Sequence, residues 1–135
     1  MSGCLIMDKM LICWDVDGTI DCKENDNEEY LKGIVPEDDI VELWKKGHMI
    51  AICSPSPYFP DKWKGDNHWF KRNGSNFSRW ENIKDAMKFY KVEDKDKVIY
   101  VDDLLGNLKI IRDVYGLKNV YTPKGFMEEL PRLLK

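Results

Sequence analysis

The sequence predicts an α/β fold in which parallel strands alternate with helices, and three observations lead there. Short unbroken apolar runs recur at residues 10–14 (MLICW), 48–53 (HMIAIC) and 97–101 (KVIYV). Segments with apolar residues at helical spacing lie between them. Polar residues, Asp15, Ser54 and Asp102, stand immediately after the runs. Unbroken apolar runs suit strands buried on both faces, whereas a half-exposed antiparallel strand would alternate. At 135 residues the chain is long enough to bury one proper core.

The elements follow in order. Residues 10–14 are the first strand. In PEDDIVELWKKGH, Pro36 suits a helix start and the acids suit the first turn; Ile40, Leu43 and Trp44 share a face and Gly47 is the stop. Residues 48–53 are the second strand. The stretch 56–80, rich in Gly, Pro and Asn, predicts a long loop at about 55–79, of the kind usually tied to function. Trp80, Ile83, Met87 and Tyr90 mark the next helix, and residues 97–101 the third strand. Leu104, Leu108, Ile111 and Tyr115 mark a helix that stops at Gly116, and NVYT (119–122) is a weaker fourth strand. A terminal helix over 125–135 is expected to be disturbed by Pro131. Strand–helix alternation over 1–135 gives one domain of βα units, a Rossmann-like three-layer sandwich around a central parallel sheet.

Bulk properties narrow the function. A net charge of -3 argues against coating nucleic acid or an anionic membrane. The opening MSGCLIMDKML is short and interrupted by Asp8 and Lys9, unlike a signal peptide or a membrane span. Cys4, Cys13, Cys22 and Cys53 include no CxxC pair, so reduced thiols and a cytoplasmic location are expected, with Cys13 and Cys53 as small core residues. His48 reads as structural and His68 as a surface or hydrogen-bonded residue, not a catalyst.

Ligands of open α/β sheets sit beyond the carboxyl ends of the strands. That rule places Asp15, Asp17, Asp102 and Asp103, with the Ser54 hydroxyl, along one edge. Clustered carboxylates repel, and Mg²⁺, which takes hard oxygen ligands, relieves the repulsion. A calcium loop fits poorly: counted from Asp15, Ile20 stands where the sixth-position Gly belongs and Asp26 where the twelfth-position Glu belongs. A bland acidic turn accounts for either cluster alone, but not for both following buried strands.

DVDGT (15–19) after an apolar strand resembles the first signature of the haloacid dehalogenase-like (HAD) superfamily. IAICS, ending at Ser54, is similar to its second signature, and VIYVDD, ending at Asp103, to its fourth, in the same order and over nearly the whole chain. The resemblance implies a Mg²⁺-dependent phosphomonoester phosphatase working through an aspartyl-phosphate. It implies Asp15 as nucleophile and Asp17 as general acid and base, with Asp15, Asp17 (through its carbonyl), Asp102 and Asp103 around the metal. Gly18 would turn the chain, Thr19 would brace the turn, and Ser54 would donate to a phosphoryl oxygen. Asn107, where many relatives carry an acid, would hold the metal's water shell or cap a turn.

The basic third signature is open between two residues. Arg79 lies nearer the helix start, in the favoured register; Lys84 is the more usual chemical type but lies more than a turn further in. The gaps around Ser54 are too short for an inserted cap, so the resemblance implies a capless member with an open site. Its substrate would be a small phosphate ester, a phosphoprotein or a nucleic acid end. Lys62, Trp63, Lys64, Trp69, Lys71 and Arg72 in the long loop are candidates to contact it, since basic groups among aromatics hold phosphates and stack rings; the alternative is that the aromatics pack the sheet edge. Two other function classes compete: a receiver-like phospho-Asp signalling domain, and a phosphate- or nucleic-acid-end-binding module with little catalysis. The paired aspartates of DVDGT argue against both.

Overall fold

The computed structural model describes residues 9–22, 28–54, 69–71 and 78–135. A five-stranded, wholly parallel sheet forms the centre, in the order β5-β4-β1-β6-β7. Its strands are β1 (Leu11–Trp14), β4 (Met49–Ile52), β5 (Phe70–Lys71), β6 (Val98–Val101) and β7 (Val120–Tyr121). A separate parallel pair, β2 (Ile20–Asp21) with β3 (Val35–Pro36), follows the first strand. The described helices are α1 (Glu37–Lys45), α2 (Arg79–Tyr90), α3 (Leu105–Asp113) and α4 (Pro123–Leu133).

Successive strand residues point to opposite faces, and the core divides accordingly. Ile12, Trp14, Ile50, Ile52, Ile99 and Val101 pack on one face beneath α1 and α4, through Ile40, Leu43, Phe126 and Leu130. Leu11, Cys13, Ala51, Cys53, Val98 and Tyr100 pack on the other beneath α2 and α3, through Ile83, Ala86, Leu108 and Ile111. All four residues of β1 are fully buried because strands flank it on both sides and helices cover both faces. This is the expected three-layer α/β sandwich.

Local chemistry sets the helix ends. Ser78 caps α2, its Oγ accepting from the Glu81 N–H at 3.1 Å, and Thr122 caps α4 through the Gly125 N–H at 3.0 Å. Pro36 is the residue before α1, not its first member, and Glu37, Asp38 and Asp39 complement the helix dipole.

The structure departs from the sequence expectations in several places. Phe70–Lys71, inside the expected loop, adds an edge strand to β4, and Trp69 beside it is buried in the core. Pro131 does not end α4: the helix runs on to Leu133, since only its last turn lacks the proline's N–H. The helix α3 stops at Asp113, short of Gly116, and Leu104 is 55% exposed instead of packed. Asp21 lies in β2 and pairs with Lys32 at 3.8 Å on the surface. Cys13, Cys22 and Cys53 are buried thiols, and burial pushes the Cys53 thiol up so that it stays protonated. No helix among the described residues is long and apolar enough to cross a membrane.

His48 ties the layers together. Its Nδ1 accepts the Met10 N–H at 3.0 Å, so Nε2 carries the proton and donates to the Leu133 carbonyl at 2.9 Å. Burial holds its pKa below the usual value. The unfolded chain therefore takes up a proton first as pH falls. The stability His48 contributes is present above about pH 6.5, the unfolded value, and is lost as pH drops from there through the folded value. His48→Gln keeps one acceptor and one donor but does not titrate. Thermal melts between neutral and mildly acidic pH should fall less steeply for this variant than for wild type, and equal slopes would refute the assignment.

Candidate functional site

The chain order changes sides at β1: β4 and β5 extend one way and β6 and β7 the other. Such a switch point opens a crevice at the carboxyl ends of the strands. The sheet ladder continues one residue past β1 and β4, with the Asp15 N–H donating to the Val101 carbonyl and the Cys53 N–H to the Trp14 carbonyl, both at 2.9 Å. Asp15 and Ser54 are thus held where their strands leave the sheet, and both are buried.

A tight turn carries the chain away. The Thr19 and Ile20 N–H groups both donate back to the Val16 carbonyl, at 3.0 and 3.1 Å, and Thr19 Oγ1 donates to Asp15 Oδ2 at 3.1 Å. Gly18 has φ +76, and a Cβ there would collide with the Asp103 carboxylate. The left-handed backbone favours glycine, and a side chain here would also have to displace the Asp103 carboxylate. The Gly18 N–H donates to the Leu31 carbonyl at 2.6 Å, which ties the turn to the segment before β3.

At the end of β6 the two aspartates divide. Asp102 is fully buried and heavily engaged: Oδ1 accepts the Leu104 N–H at 2.9 Å, and Oδ2 accepts the Tyr100 hydroxyl at 2.5 Å and Asn107 Nδ2 at 2.9 Å. Asn107 therefore braces a carboxylate. Asp103 is partly exposed and faces the crevice.

Arg79, the first residue of α2, reaches both strand ends. Its guanidinium lies 3.4 Å from Asp15 Oδ1 and, through Nε, 3.0 Å from Asp102 Oδ2. Lys84 is half-exposed and pairs with Glu81 at 3.3 Å on the helix surface. Of the two basic candidates, then, the structure brings only Arg79 to the carboxylates. Asp15, Asp17, Ser54, Arg79 and Asp103 line a cavity of about 380 Å³, with Leu31 and Leu104 supplying apolar wall.

Asp15, Asp102 and Asp103 each offer an oxygen within 4.8 Å of the others. Burial, reinforced by Asp102 and Asp103, pushes the Asp15 carboxyl up to about 8 against the pull of Arg79. Asp103 is also raised, mainly by burial. One guanidinium thus meets two of the three carboxylates. An oxygen-only donor set with surplus negative charge fits a hard divalent cation such as Mg²⁺.

Of the residues expected to contact substrate, Lys62, Trp63, Lys64 and Arg72 lie outside the described residues, as does His68, and Lys71 belongs to β5. Sequence reasoning missed Tyr100, Asn82, Leu31 and Leu104. Tyr100 stands two residues before Asp102 in a strand and Asn82 three after Arg79 in a helix, so periodicity places each on the same face as a named site residue. No such signal marks Leu31.

No protein-family model matches the chain, and no curated protein matches it by sequence. Among solved structures, the chain is similar to the N-terminal part of the protein BF1531 from Bacteroides fragilis, described as containing a phosphatase domain complexed with Mg. The TM-score is 0.60 at 17% identity, over 99% of this chain and 42% of that one. The likeness is one of fold, and this chain spans less than half of that chain's length.

Two outcomes follow. Titrating Mg²⁺ should raise Tm, by about 2.7 kcal/mol of added stability at a hundredfold excess over Kd, and Asp103→Asn should diminish the shift; an unmoved Tm would contradict the cation fit. Gly18→Ala should cost at least about 1–2 kcal/mol for its left-handed backbone alone, measurable by denaturant titration, and a neutral result would contradict the turn geometry.

Proposed function

We propose that the protein is a Mg²⁺-dependent phosphomonoester phosphatase of the HAD type, acting through an aspartyl-phosphate on Asp15. The observation that carries this reading is the meeting of Asp15, Asp103, Arg79 and Ser54 around one cavity at the switch point of the sheet. The DVDGT, Ser54 and Asp102–Asp103 pattern supports it, as does the likeness in fold to a domain described as a phosphatase with Mg.

Asp15 and Asp103 would hold the metal directly, with the Asp17 carbonyl, while Asp102 orients the site through Tyr100, Asn107 and Arg79. The bound cation would offset the repulsion between an attacking carboxylate and a phosphate dianion. An Asp15 oxygen attacks phosphorus as the bond to the ester oxygen breaks, and the Asp17 carboxyl gives that oxygen its proton. The Asp17 carboxylate then takes a proton from water, whose oxygen attacks the same phosphorus. Inorganic phosphate leaves and Asp15 is regenerated. Ser54 and Arg79 hold the non-bridging oxygens, where charge accumulates. The substrate is a phosphorylated molecule: a small ester, a phosphoprotein or a nucleic acid end.

The test is turnover of an aryl phosphate, nucleotides, phosphopeptides and phosphorylated oligonucleotides, with Mg²⁺ and with chelator. Wild type should hydrolyse at least one of them only with the metal, and Asp15→Asn should abolish turnover; metal-independent or Asp15-independent hydrolysis contradicts the reading. Arg79→Ala should lower kcat about a hundredfold or more, whereas Lys84→Ala should stay within about a factor of two of wild type. The reverse pattern would reassign the basic residue.

A further inference from the structure

We propose that Asn82 is a positioning residue for Ser54, fixing the peptide from which the serine meets the phosphoryl group. The inference rests on the phosphatase reading and adds a residue to that site.

Asn82 is fully buried on the inner face of α2, three residues after Arg79. Residues at this spacing share a helix face. While Arg79 reaches the ends of β1 and β6, Asn82 reaches the end of β4, where its Nδ2 donates to the Cys53 carbonyl at 2.8 Å. β4 ends at Ile52, so this carbonyl lies just beyond the strand. The Cys53 carbonyl and the Ser54 N–H belong to one planar peptide unit. Fixing the carbonyl therefore fixes the plane from which Ser54, which lines the cavity, departs.

The other half of the amide sharpens the point. Asn82 Oδ1 is buried without a hydrogen-bond partner among the described residues. A buried amide with one end unsatisfied is costly. Its neighbours on this face, Ile83 and Ala86, are apolar, and an apolar residue would avoid that cost. What the asparagine supplies in return is the bond to Cys53. The inner face of α2 thus holds the guanidinium and the serine peptide in fixed relation.

A double-mutant cycle with inorganic phosphate as ligand, at saturating Mg²⁺, tests this by calorimetric titration of the full chain. Asn82→Ala and Ser54→Ala should each weaken phosphate binding about tenfold. The double variant should bind little worse than Ser54→Ala alone, because Asn82 acts through the serine. A merely structural Asn82 would lower Tm yet leave phosphate affinity alone, or add its loss independently of Ser54; either result overturns the inference. If Asn82→Ala does not fold by circular dichroism, Asn82→Ser, which keeps a small polar side chain too short to span to Cys53, replaces it in the same cycle. Failure of wild type to bind phosphate would bring down the phosphatase reading and this inference together. Wild-type binding that the Asn82 variants fully retain would bring down this inference alone.

Discussion

Three carboxylates converge within 4.8 Å of one another at the end of a buried sheet, with one guanidinium between two of them. Everything around the site manages that charge. Burial drives the Asp15 carboxyl up to about 8, which favours the neutral acid over the carboxylate. Arg79 pulls the other way, and its reach to both Asp15 and Asp102 sets where α2 must begin. Tyr100, Asn107 and the Leu104 N–H surround Asp102, so its charge is met by donors on every side. A divalent cation between Asp15 and Asp103 would complete the balance.

The fold supplies this arrangement through its switch point. β1 is central and fully buried, and its ladder to β6 runs on to the Asp15 N–H, so Asp15 is fixed by backbone bonds before any side chain acts. The turn beyond it favours glycine, because φ there is +76 and the Asp103 carboxylate occupies the space of a Cβ at position 18. Ser78 caps the helix that delivers Arg79, and Asn82 fastens the same helix to the strand end that carries Ser54. Packing, capping and charge thus place four segments, distant in sequence, around one cavity.

Much of this was legible in the sequence. The unbroken runs gave the three central strands, since nothing but two-sided burial explains them, and the polar residues directly after them gave the carboxylates and Ser54. The edge strand β5 was not legible: two residues in a stretch rich in glycine and asparagine carry no periodicity, and β4 imposes their pairing. The reach of α4 past Pro131 was hidden for a related reason, as a proline near a helix end removes only one of the helix's last backbone bonds. Arg79 and Lys84 could not be separated by chemical type; the helix start decides, because only its first residue stands over the strand ends. Asn82 and Tyr100 were readable in principle, each standing one period from a named site residue, but a lone amide or phenol in an apolar stretch carries no sign of its partner.

The central claim is that Asp15 carries the phosphoryl group in the course of turnover. Rapid acid quench of wild type mixed with substrate and Mg²⁺, followed by proteolysis and peptide mass spectrometry, tests it most directly. The account predicts one added phosphoryl group on the peptide containing Asp15, labile to hydroxylamine and missing from Asp15→Asn. Steady turnover with no phosphorylated peptide at any quench time, or a phosphoryl group mapped to another residue, would contradict it.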